Sequence, residues 1–163
     1  MWSPIRFAHR VGQQATGRPQ RSRAAGAAVI AVTHTITRLA IPPCPAFNRG
    51  DIASILARVA EDCPLRETRA PELPYAGSFK GRAGWSEFFD TMLAVLEPSR
   101  LDVDLWVCQG EHVVAIGSWG GKARTTGNSF DSHLALYFRV RDGKVIDFRG
   151  HDDTAVTAAA LRS

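Results

Sequence analysis

The strongest constraint on what this chain can fold into is the ribbon Phe130–Leu161, FDSHLALYFRVRDGKVIDFRGHDDTAVTAAAL. Two alternating strands meet at Asp142-Gly143, and the second runs into an alanine-rich helix. Alternation sends successive side chains to opposite faces, so the pairing register decides which residues reach the core. A two-residue turn would set Leu136 beside Arg149 and Leu134 beside His151, mixing apolar and charged groups on each face. A type I turn with Gly143 in a left-handed bulge position shifts the pairing by one. Phe138 then opposes Ile146, Leu136 opposes Phe148, and Leu134 opposes Gly150. Clean segregation selects this second register. It predicts an inward wall of Leu134, Leu136, Phe138, Ile146 and Phe148, with Gly150 leaving room and Ser132 and Asp152 continuing the face in polar form. His133 and His151 become cross-strand neighbours on the outer face, with Tyr137, Arg139, Asp147 and Arg149. Two histidines without carboxylate-rich ligand spacing read as a solvated or subunit-contacting face, and no metal site is expected.

Upstream, the period is helical. Pro42, Pro43 and Pro45 are expected to forbid a helix up to Ala46. Asp51 is placed to cap a helix whose stripe is Ile52, Ile55, Leu56 and Val59, ending at Cys63-Pro64. Leu65–Thr68 has the length of a short strand, and a Pro/Gly-punctuated loop follows. Trp85, Phe88, Phe89, Met92, Val95 and Leu96 form the strongest helical stripe, stopped at Glu97-Pro98. The period then becomes two. Leu101, Val103, Leu105 and Val107 are expected to face the core, alternating with Asp102, Asp104, Trp106 and Cys108. Val113–Trp119 is apolar on both faces, as in a more central strand. Helices followed by at least four antiparallel strands and a terminal helix, Asp153 its cap, predict an α+β fold.

The 163 residues suit one domain, but the charge is uneven. Residues 1–50 carry seven arginines and no acid; the remainder holds 13 of the 20 basic residues and all 16 acids, a net of −3. We therefore divide the chain into 1–45, a basic extension, targeting peptide or misassigned start, and 46–163, the folded domain. The arginines lack aromatic interleaving, so nucleic-acid binding is not expected. The apolar run Ala24–Val32 is too short to span a bilayer, so no membrane partner is expected. Three cysteines at irregular spacing imply free thiols and a reducing, cytoplasmic setting. Organelle targeting or secretion through residues 1–45 stays open.

AFNRGDIASILARVAED (46–62), PELPYAGSFKGRAGWSEFF (71–89), FRVRDGKVIDF (138–148) and DDTAVTAAAL (152–161), in this order, resemble the SnoaL-like branch of the nuclear transport factor two-like superfamily. Polyketide cyclases, ketosteroid isomerase and limonene epoxide hydrolase share its fold. The resemblance implies a cone, a curved antiparallel sheet wrapped around helices with an internal hydrophobic pocket, commonly dimeric through the sheet's outer face. Three departures bear on function. The prolines interrupt the end of the family's first helix, leaving that pocket wall missing, displaced or replaced by Ala24–Leu39. Leu136 stands where such cyclases often carry an inward His. Gly150 stands where a polar or acidic residue is common.

Enzymes of this fold place a carboxylate in an apolar cavity, as ketosteroid isomerase does beside a Tyr and a protonated Asp. Here Asp152 is the candidate base and Tyr75 a possible phenolic donor. Tyr75, Trp119, Ser132, Leu134, Leu136, Phe138 and Phe148 are the candidate ligand-binding residues. Trp106 and Trp119 either line the pocket or fill the sheet's packing layers. With no phosphate-binding glycine loop, nucleophile elbow or zinc motif, no cofactor is expected. Two readings follow. One is a cyclase or isomerase acting by cofactor-free proton transfer on a small apolar cyclic molecule. The other is a non-catalytic ligand-binding or structural member of the same fold. A homodimer through the outer sheet face is expected for either.

Overall fold

The computed structural model describes residues 43–68 and 72–162. Most of the basic extension, including Ala24–Leu39, lies outside the described residues. The element order is α1 (Pro43–Asn48), α2 (Ile52–Leu56), β1 (Pro64–Thr68), β2 (Gly77–Lys80), α3 (Gly81–Val95), β3 (Leu96–Gln109), β4 (His112–Ala123), β5 (Ser129–Arg141), β6 (Lys144–Asp152) and α4 (Thr154–Leu161). The strands form one curved, unclosed six-stranded sheet in the order β2-β1-β6-β5-β4-β3. Every neighbouring pair is antiparallel except β1 and β6. The fold is α+β, with the core between the helices and one face of the sheet.

The N-terminal prolines correct an expectation. A helix begins at Pro43 and contains Pro45, so the described fold starts ahead of Ala46. Both prolines sit in the first turn, where the amide each lacks would have no intrahelical acceptor. Cys44 and Ala46 are buried in the core. The next helix is shorter than its stripe implied: α2 ends at Leu56, and Val59 instead bridges Val145 of β6. Asp51 caps it, accepting from the Ser54 amide at 3.1 Å. In α3 the predicted stripe is buried at Trp85, Phe88, Phe89 and Met92. Phe88 packs edge-on against Phe79, Tyr75 and Phe89. Burying each such side chain contributes about 1.5–3 kcal/mol, which fixes this helix to the sheet despite the lack of a side-chain cap at Lys80.

The last ribbon departs from the expected turn. Asp142 (φ 49°) and Gly143 (φ 74°) form a two-residue turn with positive φ at both positions, the type I′ geometry that matches strand twist. Arg141 pairs with Lys144 and Val140 with Val145; Arg139 then pairs with Asp147, leaving Ile146 as a bulge. The bulge restores segregation two residues past the turn. Val145, not Ile146, joins the inward wall, and the facing pairs are Phe138–Phe148, Leu136–Gly150 and Leu134–Asp152. His151 lies opposite Ala135 rather than His133, and both histidines are exposed.

A second bulge reverses β3. Pairing with β4 slips between Val103 and Leu105, so Trp106 and Cys108 turn inward while Leu105 and Val107 stand 51% and 50% exposed. The slip brings the Asp102 carbonyl against Gly117, where no Cβ could fit. The expected inward positions Leu105 and Val107 are thereby corrected to outward ones.

Candidate functional site

Between the concave face of the sheet and α1–α3 lies a cavity of about 90 Å³, several times the ~10–15 Å³ that one water needs. Its walls are almost wholly apolar. Cys44 and Phe47 come from α1, Trp85, Phe88, Phe89 and Met92 from α3, and Trp119 from β4. The ribbon supplies Leu134, Leu136, Phe138 and Phe148, four residues singled out from sequence, and Val145. Aromatic contacts stiffen this lining: Trp85 lies 5.0 Å from Phe148, Phe138 lies 5.2 Å from Phe148, and Trp119 meets Phe130 edge-on at 4.8 Å.

Asp152 lies on this wall, as the final residue of β6. Its position is fixed by the corner that follows. The Asp153 amide donates to Ser132 Oγ at 3.1 Å and to the His133 carbonyl at 3.2 Å, and the Asp153 carboxylate caps α4 through the Ala155 amide. Ser132 therefore holds the strand–helix corner and is not among the residues lining the cavity. Tyr75 is also placed elsewhere. It is fully buried with its ring edge-on to Phe88, and it does not line the cavity.

The structure adds an acid that the sequence reading missed. β1 runs parallel to β6 and sets Glu67 opposite Gly150. The Glu67 carboxylate lies over that glycine, where a Cβ would collide with it, and it lines the cavity. The room left by Gly150 is thus occupied by a carboxylate from the neighbouring strand. Asp152 follows two residues beyond on the same face, roughly 7 Å along the strand. The signal lay in LRE, which puts Leu65 and Glu67 on one face and Arg66 on the other, where it pairs with Asp147 at 2.5 Å.

Arg58 and His151 complete the polar part of the lining. Burial pushes the Cys44 thiol up to about 11 and the Cys63 thiol up to about 12, the latter helped by nearby Asp147. Neither is poised as a nucleophile at neutral pH. Among the described residues no group of three or more His, Cys, Asp and Glu is arranged to hold a metal ion. No helix among them is long and apolar enough to cross a membrane.

The SnoaL-like domain family matches residues 44–148, nearly the whole of this architecture. The chain belongs to that family. An NTF2-like protein from Burkholderia xenovorans LB400 is 30% identical over 72% of this chain and 88% of its own, with a TM-score of 0.63. A proposed polyketide cyclase from Xanthomonas campestris pv. campestris is 24% identical, covers 78% of this chain and 96% of its own, and has a TM-score of 0.67. TerC, crystallised with polyporic acid, is 22% identical over 78% of this chain and 98% of its own, with a TM-score of 0.71. The latter two similarities show the SnoaL-like fold alone. No curated protein matches the chain.

Proposed function

We propose that this SnoaL-like protein binds a small apolar cyclic molecule in the cavity and moves a proton on it without a cofactor, in the manner of a polyketide cyclase or isomerase. The observation that carries this reading is the pair of carboxylates, Asp152 and Glu67, on a wall that is apolar apart from them, Arg58 and His151. Apolar surroundings strip a carboxylate of hydration and so strengthen it as a base. Asp152 is assigned the proton transfer and Glu67 stands beside it. The similarity to TerC and to the Xanthomonas protein makes hydroxyquinones and polycyclic ketones the first compounds to try.

A second reading, a binder without turnover, is favoured by one observation. Position 136 is a leucine and Tyr75 lies outside the lining, so the cavity has no phenol, and its one imidazole, His151, is an exposed side chain rather than a buried donor aimed at a developing oxyanion. Thermal shift against such ketones and hydroxyquinones, polyporic acid included, followed by turnover assays, separates the two. Under the first reading Asp152→Asn lowers kcat by ~10²–10⁴-fold, the usual contribution of a general base, while the fold is retained. Turnover unchanged by Asp152→Asn removes Asp152 from the chemistry, and stabilisation without turnover supports the binder. Either form is proposed to act as a homodimer through the outer sheet face.

A further inference from the structure

The cavity lining holds one arginine, Arg58, and it comes from the end opposite the acids, where the exposed His151 adjoins Asp152. Arg58 lines the wall from the turn after α2, next to Val59, which bridges Val145 at the start of β6. Glu67 and Asp152 line it at the other end of that strand. From Val145 to Asp152 the backbone runs on the order of 20 Å.

Three cations gather on this turn, and two of them are committed. Lys144 Nζ donates to the Ala57 carbonyl at 2.6 Å. Arg82 Nε donates to the Val59 carbonyl at 3.1 Å, and its guanidinium lies 3.9 Å from Glu61. The half-buried Arg58 side chain between them makes no hydrogen bond or ion pair among the described residues. A cation drawn partly out of water, with two more cations beside it, is an incomplete arrangement that an anion would complete. The planar fork of arginine suits a carboxylate or an ionised enol in two-point contact.

We propose that Arg58 is a ligand-binding residue, and that the cavity selects an apolar ring system bearing a carboxylate or ionised enol. The acidic group faces Arg58, which directs the remainder of the rings toward Glu67 and Asp152. The proposal rests on the pocket reading above and narrows its substrate class from apolar molecules to acidic ones.

A matched pair of probes, 2-naphthoate and 2-naphthamide, tests it by titration calorimetry on the full chain. Naphthoate is expected to bind at least about tenfold tighter than the amide, the scale of one charge-assisted hydrogen bond. Arg58→Gln is expected to abolish that preference by weakening naphthoate alone, and Arg58→Lys to restore part of it. Equal affinity of acid and amide for the wild-type chain overturns the acid selection and leaves the pocket reading standing. So does a preference that survives Arg58→Gln. Binding of neither probe overturns both.

Discussion

A methyl group added at Gly117 would run into the backbone carbonyl of Asp102, whereas one added at Gly150 would meet only the end of the Glu67 side chain. The two glycines therefore have different jobs. Gly117→Ala forces strand backbone apart and is expected to cost about 1–3 kcal/mol in urea unfolding. Gly150→Ala is expected to cost less than about 1 kcal/mol, because a flexible side chain can swing aside. It removes the carboxylate from the cavity wall, so ligand binding or turnover should fall although the fold survives. Unchanged binding and turnover in a stable Gly150→Ala variant would take Glu67 out of the site. Glu111 makes a different prediction. Arg141 first, then Arg139, hold its carboxyl down to about 2. That lies below its unfolded value of roughly 4.3, so ionised Glu111 contributes stability that is fully present above pH 4.3 and lost as pH falls toward 2. Glu111→Gln should flatten this acid limb relative to wild type. Parallel stability curves for the two proteins between pH 4.5 and 2, measured by urea titration, would contradict the assignment.

At the scale of elements, side-chain alternation reported the period of each strand and not its phase. Phase is set by bulges, and nothing in the side chains at Asp104 or Ile146 announces one. In the last ribbon the error cost only the exchange of Ile146 for Val145, because the observed register differs from the expected one by two residues and preserves the faces beyond the bulge. In β3 it was not, and Leu105 exchanged places with Trp106. Proline was over-read in the same way: its ban on helix applies to interior turns, and α1 places both of its prolines in the first. Glu67 escaped because the alternation in Leu65-Arg66-Glu67 gives only its face, while the parallel β1–β6 pairing that brings it to Gly150 is long-range and leaves no local pattern. Trp106→Ala tests the corrected phase. It should destabilise toward the low end of ~3–5 kcal/mol, since the ring is partly exposed, while Leu105→Ala leaves monomer stability within about 0.5 kcal/mol. The reverse ranking in urea unfolding would restore the unbulged strand.

For the whole molecule the two faces of the sheet divide the work. The concave face closes the cavity, and the outer face presents Leu105, Val107 and Ile116, the last 42% exposed. Val114 and Ala135 extend this apolar area, and a polar margin adjoins it in which Tyr137 hydrogen-bonds His112 at 2.8 Å and Arg149 lies over the Tyr137 ring. Contiguous apolar surface with a polar border is unusual on a monomer and suits a self-complementary contact. A two-fold pairing of this face places each residue of one copy near its counterparts in the other. Ile116→Asp then introduces two carboxylates into one apolar interface, so its effect on assembly should be far larger than its effect on folding. Sedimentation should show wild type as a dimer at micromolar concentration and Ile116→Asp as a monomer with near-normal unfolding. Because Ile116 points away from the cavity, the monomeric variant should still bind cavity ligands. A wild-type chain that sediments as a monomer at that concentration would remove the dimer, and loss of ligand binding on dissociation would show that the partner copy shapes the site.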